Sequence, residues 1–330
     1  MIKSIELSGF KSFVSDFIEL NQLTILTGLN SSGKSSIIQA IRMLENAAAG
    51  KSEILLKGHG NDTELKNPYV SDGYIITAHL EESEIFYSSV SPRAKSEKNK
   101  NYPKVIYISA DRFGPKVSIP MDRTKKLGSK GENMLHCIEE FSTTPIPKEL
   151  WHEKSNSETF ELNLRAWLDI ISPNVKFKTE LQPKSDSSYS LFNDHRATNV
   201  GFGLSYALPV ITALLLGSVT SNSVVLLENP EAHLHPKGQT EMGRLIALAV
   251  QAGVQVVVET HSDHLFDGIR LFAKKDEENT FAPKVNSYWF ELDKKNNTTI
   301  EQAVLENNGR LDNWPKGMFD QFEINASKLL

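Results

Sequence analysis

The chain has 330 residues, of which 39% are hydrophobic and 23% are charged, and its formal net charge is −5. This length suits one large domain or two ordinary ones, and the acidic balance excludes a surface covered in nucleic acid while leaving room for a local basic groove. The single cysteine, Cys137, excludes an internal disulfide framework and a cysteine-based zinc cluster, and we expect it to be a small buried apolar residue.

No apolar run approaches the roughly eighteen residues that span a bilayer, and the N-terminus lacks the apolar stretch of a signal peptide. The sequence therefore predicts a cytoplasmic protein without membrane contact.

The chain begins with two short stretches, "IKSIELSGFKSF" and "DFIEL", that predict an antiparallel hairpin at the edge of a sheet. Lys11 and Phe13 lie between them, where a cation or a ring can approach a bound nucleotide. The alternative is that both are ordinary loop or core residues.

A phosphate-binding loop follows in "LTILTGLNSSGKSSIIQAIRML", which reads strand, G-x-x-x-x-G-K-S and amphipathic helix. Glycines at 28 and 33 let successive backbone amides face phosphates at the positive end of the helix. Lys34 is expected to meet the β- and γ-phosphates, and the Ser35 hydroxyl is expected to bind Mg²⁺. The predicted nucleotide-contacting residues of this loop are Gly28, Asn30, Ser31, Ser32, Gly33, Lys34, Ser35 and Ser36.

Residues 50 to 90 predict short strands separated by turns, and "KVIYISADRFGP" predicts a strand ending at Asp111 and Arg112. Two basic loops, residues 93–104 and 116–130, either bind a nucleic-acid backbone or are solvated loops without a partner. They contain Arg93, Lys95, Lys98, Lys100 and Lys104, and then Lys116, Arg123, Lys125, Lys126 and Lys130.

The middle third reads as an insertion over residues 113–198, with helical periodicity at 132–141 and 158–171. In the second helix we expect a buried stripe made of Leu162, Ala166, Trp167 and Ile170.

In the second half, "NVGFGLSYALPVITALLLG" predicts a buried helix, and Pro209 places its start close to Ser205. Two fully apolar strands follow: "VVLLE" ends at Glu228, and "VVVETH" leads to His261. A helix between them predicts a right-handed parallel crossover, and ligands in such sheets bind at the carboxyl ends of the strands. We therefore expect the phosphate loop, Glu228 and His261 to converge on one edge.

His233 and His235 invite a metal-site interpretation, but a third ligand is not evident nearby, which favours a structural role in the turn. Near the C-terminus, "VNSYWFEL", "KKNN" and "TTIEQAV" predict a hairpin. With "NWPKGMF" this hairpin forms either an exposed aromatic surface for a partner or part of the core.

These motifs, in this order, resemble those of an ABC-superfamily ATPase of the SMC, RecF and overcoming-lysogenisation-defect (OLD) branch. The N-terminal strand and "GLNSSGKSS" resemble the first strand and the Walker A loop, and "VGFGLS" stands where the signature motif stands. "VVLLENPEAHLHP" resembles Walker B with its extension, and "VVVETHSDH" resembles the switch-histidine segment. Compact members with a tail like "GRLDNWPKGMFDQ" resemble ATPase subunits of bacterial anti-phage defence systems.

The resemblance implies a head-to-tail homodimer that holds two ATP molecules between the Walker A loop of one subunit and the signature motif of the other. It implies that Gly203 and Ser205 touch the γ-phosphate held by Lys34 of the other subunit. It also implies that His261 senses the γ-phosphate and that Glu228, with Ser35, holds Mg²⁺.

Asn229 departs from the family pattern, which has at this position the glutamate that polarises the attacking water. An amide orients water but cannot take its proton. Three explanations remain open: Glu231 is the base, hydrolysis is slow and ATP acts as a timed switch, or positioning dominates because the transition state is loose.

We thus predict an α/β, ABC-type (RecF/SMC-like) ATPase head with a mostly parallel sheet flanked by helices, an N-terminal antiparallel β edge and a helical insertion. A single head covers residues 1–330, with an insertion lobe at 113–198 and a C-terminal hairpin and tail at 285–330. The expected function is an ATP- and Mg²⁺-dependent sensor or scaffold for an effector, such as a nuclease, in anti-phage defence or DNA maintenance. The alternatives are a RecF-like clamp that binds DNA directly and a non-hydrolysing, ATP-gated interaction module. After His261 no D-x-D carboxylate pair follows, so we do not expect this chain itself to cut nucleic acid.

Overall fold

The computed structural model describes residues 1–90, 99–120, 126–182, 184 and 186–329. The chain divides into two compact units. The first unit is built from residues 1–105, 282–306 and 310–330, and the second from residues 106–281 and 307–309. The single head over residues 1–330 stays a prediction; the first unit draws on both ends of the chain.

The described residues form eight helices and fourteen strands. The helices are α1 (Lys34–Ala48), α2 (Asp62–Leu65), α3 (Met134–Glu140), α4 (Phe160–Ile171), α5 (Phe202–Val219), α6 (Pro236–Gln251), α7 (Asp263–Lys275) and α8 (Gln321–Leu329). The strands are β1 (Ile2–Ser8), β2 (Ser15–Glu19), β3 (Leu23–Gly28), β4 (Ile75–Leu80), β5 (Glu84–Ser88), β6 (Lys104–Ile108), β7 (Ile119–Pro120), β8 (Phe177–Gln182), β9 (Ser187–Phe192), β10 (His195–Arg196), β11 (Ser223–Glu228), β12 (Gln255–Glu259), β13 (Val285–Leu292) and β14 (Thr298–Val304).

The first unit contains an antiparallel sheet in the order β2-β1-β4-β5. In β1, Ile2, Ile5 and Leu7 are buried while Lys3 and Glu6 are exposed, as expected of a strand with one face on the core. The predicted N-terminal hairpin is confirmed by the antiparallel pairing of β1 with β2. Strands from the predicted turn-rich stretch, β4 and β5, extend it into a four-stranded sheet.

A second set of strands in the first unit carries the phosphate loop. All six residues of β3 are buried, and β3 runs parallel to β13, which forms an antiparallel hairpin with β14. The predicted C-terminal hairpin is confirmed, and Tyr288, Trp289 and Phe290 in it are buried. The interpretation of these aromatic residues as an exposed surface is therefore wrong, because β13 packs as an inner strand beside β3. Trp314 in the following tail is 44% exposed, and α8 buries none of its residues.

The second unit contains a parallel pair of strands, β11 and β12, connected by α6. The predicted crossover is confirmed, and Val224, Val225, Leu226 and Leu227 in β11 are fully buried. The register pairs Glu228 with Glu259, so each strand has a glutamate at its C-terminal end, and the two glutamates are neighbours.

The predicted insertion, residues 113–198, lies in the second unit and is not only helical. The helices α3 and α4 form where the periodicity predicts them, but β8, β9, β10 and β7 add an antiparallel sheet. These strands are short and mostly polar: β9 carries three serines, and β8 has only Phe177 and Leu181 as apolar residues, so the sequence did not show them. Cys137 is buried in α3 as predicted, and burial raises the pKa of its thiol to about 11.

The buried face of α4 differs from the predicted stripe. Ala166 and Trp167 are buried, but Leu162 is 42% exposed and Ile170 is half-buried. The buried positions instead follow Phe160, Leu164, Trp167, Leu168 and Ile171. That set recurs at helical spacing, which turns Leu162 about half a turn away from the core.

The start of α5 is also different from the prediction. The helix begins at Phe202 with Gly201 as its N-cap, so Pro209 lies inside it and Ser205 lies one turn in from its start. The proline removes one backbone hydrogen bond, but α5 is apolar and buried over residues 207–217, and this packing is enough to tolerate the loss. In the described part of the chain, α5 is long and apolar enough to cross a membrane by composition alone, contrary to the expectation that no run reaches that length, although 67% of the stretch is buried inside the protein.

Candidate functional site

The loop between β3 and α1 has the backbone that a phosphate-binding turn requires. Gly28, Ser31 and Gly33 all have positive φ, at 142°, 63° and 108°. A Cβ at position 28 would lie 2.1 Å from the carbonyl oxygen of Phe290, so only glycine lets β3 pass this close to β13. The two glycines of the motif are therefore required by geometry.

Lys34 begins α1 and is only 2% exposed. Its ammonium donates hydrogen bonds to the carbonyl oxygens of Gly28 at 3.1 Å and Leu29 at 2.6 Å. Phosphate oxygens compete well for such donors, because hydrogen bonds between two charged groups are shorter and stronger. The first turn of α1 carries no acidic side chain, so its positive end remains available to an anion.

The other predicted loop residues lie together around this turn. Asn30 and Ser31 are exposed at its tip, Ser32 is buried with its hydroxyl donating to the Leu29 carbonyl at 2.7 Å, and Ser35 is half-buried in the first turn of α1. Ser36 is buried, and its backbone amide donates to the Gly33 carbonyl at 2.9 Å. The structure thus brings all eight predicted loop residues into one turn.

Lys11 and Phe13 take up contacts within the first unit. Phe13 is fully buried, and Lys11 hydrogen-bonds through its ammonium to Gln39 of α1. Burial lowers the pKa of Lys11. Phe13 is therefore a core residue, which agrees with the interpretation of Lys11 and Phe13 as ordinary loop or core residues.

In the second unit, the residues after β11 and β12 form one acidic cluster. A carboxylate oxygen of Glu228 accepts a hydrogen bond from the amide of Ala110 at 3.1 Å. Asn229 has a left-handed backbone, with φ of 45°, and its amide donates to the Glu259 carbonyl at 2.8 Å. Asparagine tolerates this conformation better than most residues, which is a local reason for an amide at this position.

Glu231 turns inward toward the segment that carries His261. It is 8% exposed, and its Oε1 accepts a hydrogen bond from the His261 amide at 3.0 Å. Burial raises the pKa of its carboxyl, although hydrogen bonds from His261, its own backbone and Thr260 and the charge of Arg112 oppose the shift. The buried Oε2 of Glu231 and the buried Oδ1 of Asn229 have no hydrogen-bond partner among the described residues. The four predicted catalytic residues, Glu228, Asn229, Glu231 and His261, therefore lie close together in the second unit.

Arg112 is a member of this cluster that sequence reasoning did not assign. Its guanidinium is buried and donates to four backbone carbonyls, those of Tyr206 at 2.9 Å, Ser109 at 3.2 Å, Glu228 at 3.0 Å and Asn229 at 2.8 Å. Burial lowers its pKa to about 10, opposed by Glu231, Tyr206 and Glu228. The strand predicted to end at Asp111 and Arg112 ends at Ile108, and an arginine shortly after that strand was the available signal.

The start of α5 packs against the turn that follows Glu231. A Cβ at Gly203 would lie 2.7 Å from the carbonyl oxygen of His233, and the His233 ring contacts the Tyr206 ring with centroids 4.4 Å apart. Ser205 is 8% exposed. His235 is the N-cap of α6 and accepts a hydrogen bond from the Lys237 amide at 3.3 Å. Both histidines therefore have structural contacts in the turn, as favoured from the sequence.

The two basic loops are described only in part. Arg93, Lys95, Lys98, Arg123 and Lys125 lie outside the described residues. Lys116 lies over the Phe113 ring at 3.5 Å, and Lys130 pairs with Asp111.

The donor types at both places fit ATP and Mg²⁺. Lys34 and the amides at the start of α1 suit phosphates. In the first unit the Ser35 hydroxyl, and in the second unit the Glu228 carboxylate, are each oxygen donors of the kind that Mg²⁺ takes. Among the described residues there is no cluster of three or more His, Cys, Asp or Glu side chains placed for a metal. A magnesium ion held mainly by phosphates, with one or two protein ligands, is compatible with that finding.

Three family profiles match separate parts of the chain. Residues 1–115 match "AAA ATPase domain", residues 172–267 match "AAA domain, putative AbiEii toxin, Type IV TA system", and residues 282–329 match "Protein of unknown function (DUF3696)". A curated relative, "Old nuclease" of Escherichia phage P2, is 22% identical over 87% of this chain. The chain spans 61% of the length of that relative.

Solved structures of SMC heads share the fold. The SmcHead bound to the C-winged helix domain of ScpA superposes with a TM-score of 0.50 at 14% identity, over 92% of this chain and 98% of that one. The Smc head with an extended coiled coil bound to the C-terminal domain of ScpA, from Pyrococcus furiosus, has a TM-score of 0.51 at 12% identity, over 100% and 99%. The fold is mixed α/β, with a mainly parallel central sheet flanked by helices and additional antiparallel strands.

Two of the matched profiles, over residues 1–115 and 172–267, are ATPase domains, and the loop between β3 and α1 has the backbone of a phosphate-binding turn, so the chain is similar to P-loop ATPases. It shares the fold of SMC heads, and its sequence is similar to that of an OLD protein, in line with the resemblance that the motifs carry.

Proposed function

We propose that this chain binds ATP with Mg²⁺, hydrolyses it, and dimerises head to tail around the bound nucleotide. The observation that supports this most directly is the placement of the Lys34 ammonium on the carbonyls of its own glycine-bearing loop. The ammonium of this buried lysine lies at a glycine-bearing loop directly before a helix. This arrangement is suited to one class of ligand, the phosphates of a nucleotide.

In the proposed site, the loop amides and Lys34 bind the phosphates, and Ser35 and Glu228 hold Mg²⁺. Bound Mg²⁺ would neutralise charge on the phosphate oxygens. Glu231 is the better candidate for a proton acceptor, because Asn229 has no basic atom and burial raises the pKa of the Glu231 carboxyl. His261 would report on the γ-phosphate, since its amide is held by the same Glu231 carboxylate.

The proposed dimer uses the exposed start of α5. Gly201 is exposed and Phe202 is 56% exposed, so the first-turn amides of α5, including that of Gly203, can reach a phosphate held by a second copy. Ser205 contributes in this proposal mainly by its place in the helix, because its side chain is buried.

We further propose that nucleotide-driven dimerisation controls an effector, such as a nuclease, in anti-phage defence or DNA maintenance. Support comes from the sequence similarity to the phage protein named "Old nuclease". This chain spans 61% of the length of that protein. The SMC heads in the two solved complexes bind ScpA, which shows that this fold can hold a protein partner. A cytoplasmic location, and nucleic-acid contacts through the loops at 93–104 and 116–130, belong to the same proposal.

The test compares ATP binding by the native chain, Lys34→Ala and Lys51→Ala, measured by calorimetry with Mg²⁺ present. Lys51 is an exposed lysine just beyond α1 and serves as the matched control. We expect Lys34→Ala to bind at least about tenfold more weakly, from the loss of charged hydrogen bonds, and Lys51→Ala to bind as the native chain does. Light scattering should show ATP-dependent dimers of the native chain. Absence of ATP binding by the folded native chain would refute the proposal.

A further inference from the structure

A threonine from the C-terminal hairpin reaches the phosphate loop. Thr298 begins β14 and is 6% exposed. Its hydroxyl donates a hydrogen bond to the carbonyl oxygen of Ser32 at 2.9 Å and lies 2.7 Å from the hydroxyl of Ser12. The Thr298 amide also donates to the Ser12 carbonyl at 2.8 Å. One residue therefore joins the hairpin, the β1–β2 turn and the phosphate loop, all within the first unit.

The direction of these hydrogen bonds follows from counting protons. A threonine hydroxyl has one proton, and Thr298 donates it to Ser32. Ser12 must then donate its own hydroxyl proton to the oxygen of Thr298. The result is a chain of two hydrogen bonds, from Ser12 through Thr298 to the Ser32 carbonyl, in a buried setting where such chains reinforce one another.

This chain fixes the orientation of the peptide between Ser32 and Gly33. The peptide is planar and trans, so its carbonyl and its amide N–H point in opposite directions. With the carbonyl held by Thr298, the Gly33 amide is directed away from the hairpin. Backbone amides of this motif bind phosphate oxygens.

Gly33 also has to be a glycine for this contact to exist. A Cβ at position 33 would lie 2.6 Å from the Thr298 hydroxyl oxygen and 2.9 Å from the Phe13 ring. The second glycine of the motif therefore makes room for the threonine as well as adopting positive φ.

We propose that Thr298 is a positioning residue for the phosphates of the nucleotide, acting through the Ser32–Gly33 peptide. This inference rests on the proposed ATP binding. The inference gives a role to the segment that begins at residue 282. Its hairpin orients a peptide of the phosphate loop in addition to extending the sheet.

The experiment measures the ATP dissociation constant of Thr298→Val, Thr298→Ser and Thr299→Val, together with the unfolding free energy of each variant without nucleotide. Valine keeps the shape of threonine and removes the hydroxyl, whereas serine keeps the hydroxyl. Thr299 is the exposed neighbour, whose hydroxyl donates to the Glu291 carbonyl at 3.3 Å on the same hairpin.

We expect Thr298→Val to bind ATP about tenfold more weakly, which corresponds to about 1.4 kcal/mol. We expect Thr298→Ser to stay within about twofold of the native chain, and Thr299→Val to match it, as the loss of an exposed hydrogen bond has little effect. A purely structural role would lower the unfolding free energy of Thr298→Val and leave the affinity of its folded form unchanged, which would overturn the inference.

Ser12→Ala keeps the test decisive if Thr298→Val does not fold. It removes the donor to Thr298, and we expect about threefold weaker ATP binding, in line with one neutral hydrogen bond. Native affinity in Ser12→Ala, with Thr298→Val either unfolded or equally tight, would overturn the inference while leaving the proposed ATP binding intact. Failure of the native chain itself to bind ATP would refute the proposed function instead.

Discussion

The guanidinium of Arg112 donates a hydrogen bond to the backbone carbonyl of Asn229 at 2.8 Å, and through its other nitrogens it also holds the carbonyls of Tyr206, Ser109 and Glu228. The end of β11, the start of α5 and the segment after β6 are thus joined by one buried side chain. No carboxylate is its hydrogen-bond partner in these four bonds, so its role here is to satisfy and orient backbone groups.

Arg112→Lys is expected to lower the unfolding free energy by about 2–4 kcal/mol, because an ammonium has three donors and cannot satisfy four carbonyls arranged for a planar guanidinium. Urea unfolding measures the loss. We also expect phosphate release to fall more than ATP affinity, since the phosphate loop is in the first unit. Arg165→Lys, at a helix-surface pair with Glu161, is the control and should stay within about 0.5 kcal/mol of the native chain. A stable Arg112→Lys protein with native turnover would contradict this prediction.

Substitutions at Asn229 separate backbone conformation from chemistry. With φ of 45°, Asn229→Glu should destabilise the protein by about 1 kcal/mol, whereas Asn229→Gly should be close to neutral because glycine adopts this conformation freely. Thermal unfolding of both variants checks this expectation.

Phosphate release by the same Asn229→Glu variant tests the slow-switch explanation. A gain over the native chain would show that the native amide limits hydrolysis, and general bases typically contribute on the order of a hundred- to ten-thousandfold. No gain in a folded Asn229→Glu protein would count against that explanation.

Glu231→Gln should raise stability at neutral pH and reduce phosphate release. Since burial raises the pKa of Glu231 in the folded state, the folded protein holds this proton more tightly than the unfolded chain does. Its ionisation therefore opposes folding as the pH rises through the interval between the ordinary value of 4.5 and the raised one. The stability gain of Glu231→Gln should be largest above this interval and should disappear below it.

Urea unfolding at several pH values checks the sign of the stability change in Glu231→Gln. Asp169→Asn should change stability in the opposite direction. Although burial opposes it, hydrogen bonds from Lys154, Val175 and Asn174 lower the pKa of Asp169. Ionised Asp169 therefore contributes to the free energy of unfolding at pH values above its ordinary pKa of 3.8. This contribution is lost as the pH falls through the lowered pKa of the folded protein. Asp169→Asn should therefore be less stable than the native chain at neutral pH.

If Glu231→Gln released phosphate at the native rate, Glu231 could not be the base.

Gly203→Ala should separate the start of α5 from the turn after Glu231. The added methyl would lie 2.7 Å from the His233 carbonyl oxygen, and we expect a cost of about 1–3 kcal/mol. Gly238→Ala is a matched control, because a Cβ there would lie 2.5 Å from the Ile171 carbonyl oxygen, a comparable clash away from the start of α5. Light scattering with ATP should show weaker dimers for Gly203→Ala than for Gly238→Ala. Equal dimerisation would argue against the start of α5 as the interface.

Local patterns predicted those parts of the molecule that depend on neighbours in sequence. The turn around Lys34, the apolar strands β11 and β12, and the hairpin of β13 and β14 all carry strong signals over fewer than about twenty residues. The start of α5 was predicted too late because Pro209 was expected to lie near it, whereas burial around Pro209 outweighs one lost hydrogen bond. The strands β8 and β9 were missed because polar residues alternate with few apolar ones.

Contacts between distant segments could not be read from the sequence. Thr298 and Ser32 are separated by 266 positions, and nothing near either residue indicates that they meet. Arg112 and Asn229 are 117 positions apart, and the partners of the arginine are backbone carbonyls, which leave no residue-type signature. Such pairings are products of topology, and topology depends on the packing of whole elements.

The parallel pairing of β3 with β13 has a consequence for synthesis on the ribosome. The strand that carries the phosphate loop ends at residue 28, but its neighbour is translated only when residues 285 to 292 are added. A growing chain therefore holds a complete Walker A sequence long before it holds the strand and the threonine that shape it. We expect nascent chains that stop short of Thr298 to be poor nucleotide binders, so that ATP binding begins only after residues 1–297 have been made.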